Sequence, residues 1–214
     1  MPENLFSLNG PYARAMNWIW NMLVVSLLWV LCCIPLVTIG AATTAAYYAM
    51  AKSVRHHTGT VAAEFFAAFR REFRQATVLT LIFGLILGAL LLECVYVYSD
   101  PAIPLPVLYL FYFMAAMVAA CAAYVWPCLS RFAKGNAPLL RMAVILVFRH
   151  IPTTVLLLLL QAALLAGLWL MPWGILLFPG IAMYLQTFLM EKILLRYSPK
   201  PADDDPEAQK WYYQ

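Results

Sequence analysis

Glu93, Gln161 and Gln186 are the side chains that could do polar chemistry inside the long apolar runs of this 214-residue chain. A carboxylate in hydrocarbon is costly, so an intramembrane acid is by default a candidate for handling a proton or a solute. Glu93 lies near the end of its run, beside Tyr96 and Tyr98, where it can equally snorkel to water. Gln161 and Gln186 could hydrogen-bond each other across two helices or line a cavity. Thr43, Thr44, Tyr47 and Tyr48 could line a polar pocket, although a helical threonine readily bonds back to its own backbone.

Other chemistries lack their parts. His56, His57 and His150 show neither HExxH nor HxxEH spacing, and Cys32, Cys33, Cys94, Cys121 and Cys128 form no CxxC pair. Neither a metal site nor a structural disulfide is expected. Ser26 and Ser130 lack the GxSxG context of a nucleophile, and there is no phosphate loop. The chain therefore reads as non-enzymatic and cofactor-free. Its excess charge is spread over several loops with no soluble binding fold, which excludes nucleic acid as a partner.

The elements that must position these residues are membrane helices. The chain is 64% hydrophobic and 11% charged, whereas soluble domains are about 25% charged. At about 20 residues per span the apolar content allows five or six crossings. We expect an all-α, polytopic integral membrane helix bundle: one transmembrane domain over residues 1–197, then a flexible polar tail over 198–214. The first apolar run, from Asn17, is too long for a signal peptide and lacks a convincing cleavage site, so it is expected to be retained.

The stretch from Leu31 to Ser53 decides the number of crossings. Helix 1 runs to about Ile34, Pro35 turns the chain, and helix 2 follows to about Ala51. A surface helix needs a charged face, and Leu36–Ala51 has none. Gly40 and the small residues Ala41, Ala45 and Ala49 let backbones approach closely. This segment is therefore expected to cross as a short buried helix. The alternative is a surface helix and five spans.

Beyond it, Lys52–Gln75 is a basic loop. Within Val61–Phe73, Phe65, Phe69 and Phe73 recur at i, i+4, i+8, apart from Arg71, Glu64 and Glu72. That pattern predicts an amphipathic interfacial helix with its aromatic face in the bilayer edge and Arg70, Arg71 and Arg74 meeting phosphates or a partner. Helix 3 is Ala76–Tyr98, with Gly84 and Gly88 as a helix-contact face; helix 4 is Leu105–Trp126, kinked or ended by Pro127. Ala137–His150, with Arg141 and Arg149 on one side, reads as a second interfacial helix, before helix 5 (from Thr153 to about Leu170) and helix 6 (from about Ile175 to Met190). With an amphipathic piece at Asn4–Ala15, the layout is three repeats of an elbow helix feeding a hairpin. Six crossings put all 14 Lys+Arg on one side. Short positively charged loops stay cytoplasmic, so both termini are placed inside.

Three blocks carry a resemblance to a known family. They are Leu28-Trp29…Cys33-Ile34-Pro35…Thr38-Ile39-Gly40-Ala41-Ala42-Thr43-Thr44-Ala45…Tyr47-Tyr48, then Phe65–Ala76, then Tyr124…Pro127-Cys128-Leu129-Ser130-Arg131-Phe132. The chain resembles the YesL family of bacterial multi-pass membrane proteins over nearly its whole length to about Tyr197. The resemblance implies a bacterial cell membrane location and, by association, a place beside carbohydrate ABC importers. It supplies no catalytic residues. The expected function is a non-enzymatic accessory or scaffold subunit whose partners are the bilayer and ABC permease subunits, docking through the arginines and phenylalanines above. The alternative is a small-solute transporter or channel built on Glu93, Gln161, Gln186 and the helix 2 threonines.

Overall fold

The fold follows from where proline and glycine fall between apolar runs. The computed structural model describes residues 11–55, 59–99, 104–132 and 135–197. The expected tail at 198–214, His56-His57 and most of the Asn4–Ala15 segment lie outside these residues. Among the described residues there are seven α-helices and no strand. They are α1 (Pro11–Cys33), α2 (Ile39–Ala49), α3 (Val61–Ser99), α4 (Leu105–Arg131), α5 (Asn136–Arg149), α6 (Ile151–Leu170) and α7 (Phe178–Tyr197). Four carry stretches long and apolar enough to cross a membrane: Met16–Cys33 of α1, and α3, α4 and α6. Leu85, Leu92, Trp169 and Trp173 are each at least 74% exposed. A surface that apolar suits a membrane-spanning protein, which meets lipid where a soluble one meets water.

Pro35 ends α1 and starts a short 3-10 turn, Leu36–Thr38. Thr38 closes the corner, its Oγ1 lying 2.6 Å from Pro35 O and 2.5 Å from Cys32 O. From there α2 enters the centre of the bundle and continues as a π-helical segment, Met50–Arg55. Ala41, Ala42, Ala45, Ala46, Ala49, Met50 and Ala51 are all fully buried. One side of α2 packs on Met22 and Val25 of α1 with Phe65 and Ala68 of α3; another packs on Ala76 and Leu79 of α3 and the inner half of α4. At 11 residues, α2 is about 16 Å long, shorter than a hydrocarbon core of about 30 Å. A helix wholly enclosed by protein need not match that thickness.

The expected elbow before helix 3 needs correction. Residues 61–73 and helix 3 are one helix: α3 runs unbroken for 39 residues, about 58 Å. No proline or glycine interrupts Val61–Phe83, so nothing forces an elbow there. The elbow before α6 does form, because Pro152 follows His150, whose backbone (φ −121°, ψ 52°) leaves the helix. Besides α1, α2 packs along α3: Gly40 N–H donates to Thr80 Oγ1 at 3.1 Å, and Lys52, just beyond α2, pairs with Glu64 at 2.8 Å. Gly59, at φ +76°, lies against the Glu64 side chain, where an added Cβ would overlap Oε1. Pro127 does not end α4, which continues one turn to Arg131.

Beyond Leu79, α3 holds no buried residue until Cys94, and α4 holds none between Leu108 and Ala120. These halves form an apolar arm, closed at its tip by Cys94, Val97 and Leu108. Gly84 and Gly88 meet nothing within 4 Å, so the helix contact expected of them is not made within the described chain. At Gly40 an added Cβ would overlap Thr80 Oγ1 and the Trp126 ring. Gly40→Ala is expected to lower stability by about 1–3 kcal/mol through overpacking. Gly84→Ala and Gly88→Ala should be neutral or stabilising by up to about 1 kcal/mol through helix propensity. Unfolding midpoints of the purified variants in one detergent check the contrast.

Candidate functional site

Small residues on α2 bring α4 and α7 close enough for their polar side chains to meet in the interior. Three helices repeat a polar or aromatic position about one turn on: Thr43 and Tyr47 on α2, Trp126 and Arg131 on α4, Gln186 and Glu191 on α7. The result is two adjoining polar layers.

The first layer is a cavity of about 160 Å³. Its polar lining is Trp29, Thr43, Trp126, Gln161 and Gln186; the rest is aliphatic. Trp29 Nε1–H donates to Thr43 Oγ1 at 3.2 Å, and the Thr43 hydroxyl donates in turn to Ile39 O at 2.7 Å. Gln186, 92% buried, donates through Nε2 to Ala123 O at 3.0 Å. Gln161 and Gln186 are therefore not bonded to each other; they share the cavity. Thr44, by contrast, is consumed by its own helix, donating to Gly40 O at 2.8 Å.

The second layer is an ion pair. Arg131 Nη1 lies 3.3 Å from Glu191 Oε1, the two side chains 4% and 2% exposed. The Tyr47 side chain lies buried in the same region, its hydroxyl without a hydrogen-bond partner. Arg55 latches the π-helical segment to α7, donating to Thr187 O at 2.9 Å and stacking 4.8 Å over the Phe188 ring. Further along, Tyr48 is flanked by Lys52 at 5.7 Å and Arg71 at 5.0 Å, and Arg71 also pairs with Glu72 at 2.6 Å. Burial alone would lower the Lys52 pKa, but the Glu64 hydrogen bond and the attraction of Tyr48 and Glu64 raise it. Arg71 is held up in the same way by Glu72 and Tyr48.

The remaining sequence candidates are dispersed. Phe65 is fully buried and Phe69 partly buried; Phe73 alone of the three is exposed, at 42%. Phe65 and Phe69 therefore pack inward beside the α2 alanines rather than at the bilayer edge, and Phe73 alone keeps the expected outward face. Arg70, Arg74, Arg141 and Arg149 are exposed. Glu93 is exposed on the arm and does not line the cavity. Ser26 is structural: it accepts the Gly180 N–H at 2.8 Å, where a Cβ on residue 180 would sit 2.5 Å from Met22 O. No cluster of three His, Cys, Asp or Glu that could hold a metal occurs among the described residues.

Sequence reasoning missed Arg131, Glu191, Trp29 and Trp126. In the sequence Arg131 reads as a topology marker, and the apolar run of helix 6 closes at Met190, one residue short of Glu191. The five-residue spacing shared by Trp126/Arg131 and Gln186/Glu191 was the available signal. Breaking a buried pair from one side strands a charge, at about 3–5 kcal/mol, whereas an apolar replacement of both partners is often neutral. Glu191→Ala is accordingly expected to unfold far below the wild type, and Arg131→Met/Glu191→Leu to recover most of the loss. Thermal unfolding of the set in detergent measures both.

No curated protein and no solved structure matches this chain. A family model described as "Protein of unknown function, DUF624", the family to which YesL proteins belong, matches residues 22–94, about a third of the chain, from within α1 through α2 into the arm of α3.

Proposed function

We propose that this protein is a non-enzymatic accessory or scaffold subunit of the bacterial cell membrane, docking onto a carbohydrate ABC importer. The observation that carries the reading is α5. Leu139, Ala143, Leu146 and Val147 hold one side of it in the core. Its other side presents Arg141, Val144, Ile145, Phe148 and Arg149, all exposed. An apolar strip edged with arginine suits anionic headgroups and the membrane-proximal surface of a partner. The interior supports the same reading, since the Arg131–Glu191 pair is buried between helices and bonded within the chain. The importer itself, as partner, comes from the YesL resemblance.

In this reading the chain passes the membrane six times. The α1–α2 unit enters and leaves on one face, with α2 as a protein-enclosed return, and the basic segments and both termini face the cytoplasm. In a background with the five native cysteines replaced, Thr60→Cys should label only from inside and Met171→Cys only from outside. Labelling of Thr60→Cys from outside intact cells overturns the paired scheme.

The docking role has its own test. Permease subunits should copurify with the wild type in mild detergent from membranes holding a complete importer. They should be lost from Arg141→Glu/Arg149→Glu at unchanged expression. A wild type that elutes alone refutes the role.

A further inference from the structure

We infer that the cavity between α2, α4, α6 and α7 is a binding site for an uncharged, hydroxyl-bearing group, either a small free polyol or the glycerol head of a neutral lipid. The inference is independent of the docking role. It rests on hydrogen-bonding capacity that the chain itself leaves unused. Gln161 makes no hydrogen bond to any described residue, and Gln186 makes only the one to Ala123 O, leaving its amide oxygen unbonded. Gln161 is partly buried and Gln186 uses one of its amide's groups, so the capacity left over beside the cavity is open to a ligand that both donates and accepts.

The lining selects the class. No charged side chain lines the cavity, and an ion so placed would keep its full desolvation cost. The Gln161 amide and the Gln186 oxygen offer both donor and acceptor, while Trp126, Leu157 and Leu164 offer apolar walls to a C–H face. A cavity of about 160 Å³ has room for a small polyol, since a single water needs only about 10–15 Å³ of such space.

A neighbouring feature separates the two sources. An apolar cavity of about 260 Å³ between α6 and α7, lined by Gly167, Phe178 and Leu185, shares Leu160, Leu164 and Ala182 with the polar one. Leu185 is 45% exposed, so this cavity faces the surroundings of the bundle. An acyl chain lying there would put its head against the shared residues, which favours the lipid over the free polyol.

The test is scintillation-proximity binding to the purified full chain with two probes, tritiated glycerol and tritiated 1-monooleoylglycerol. Saturable binding of at least one is expected. It should weaken at least tenfold in Gln161→Leu, a change that removes no hydrogen bond from the fold, and in Gln186→Leu. Monooleoylglycerol binding without glycerol binding assigns the lipid source; binding of both assigns the head alone as the determinant. Ala182→Phe, which fills the shared wall, should abolish the monooleoylglycerol signal. Failure of both probes to saturate the wild type, or undiminished binding by Gln161→Leu with an unfolding midpoint matching the wild type, overturns the site.

Discussion

Close approach of backbones around α2 is the constraint on which the other contacts depend. Gly40 lies against Thr80 and Trp126 with no space for a side chain, and the alanines that follow leave only methyl groups between α2 and its neighbours. In a bilayer, lipid tails are as apolar as leucine, so dispersion and interhelical hydrogen bonds must supply the adhesion. Small residues give both: they let many atoms touch, and they bring backbone N–H groups within reach of side-chain hydroxyls, as Gly40 is to Thr80 and Gly180 to Ser26.

That closeness also explains why polar groups can be kept inside. Arg131 and Glu191 meet on α4 and α7, and α2 is thin enough to let these two helices flank it. The ion pair, the Arg55 latch and the Gln186 bond to Ala123 then hold the three helices in one register. Register, more than gross stability, is the best-attested use of buried polar contacts.

Much of this was legible from residue order. Pro35, the uncharged stretch after it and its small residues point to a buried short helix, and α2 is one. Gln161 and Gln186 stood out as amides in apolar runs, and they share a cavity. What could not be read was direction. The stripe of Phe65, Phe69 and Phe73 looks the same whether it faces lipid or another helix, because both are apolar solvents; only the helix alongside decides. Gly84 and Gly88 have the spacing of a contact face, but spacing cannot say that a neighbour is present. The continuity of α3 through residues 73–76 is hidden for a different reason. A change of polarity marks where a helix leaves the membrane, and only a change of backbone propensity marks where it stops. Arg131 and Glu191 escaped notice because terminal charges in a membrane protein are normally topology markers, and nothing in either helix alone shows that they face one another.

The length of α3 has a mechanical consequence. An unbroken α-helix of 39 residues is stiff, since bending it sharply requires breaking i to i−4 hydrogen bonds. One end is clamped to α2 through Thr80, Tyr48 and Lys52, while the other leaves the bundle in the arm with α4. The rod is therefore a cantilever: a load on the distal half is carried by the segment held between Glu64 and Thr80.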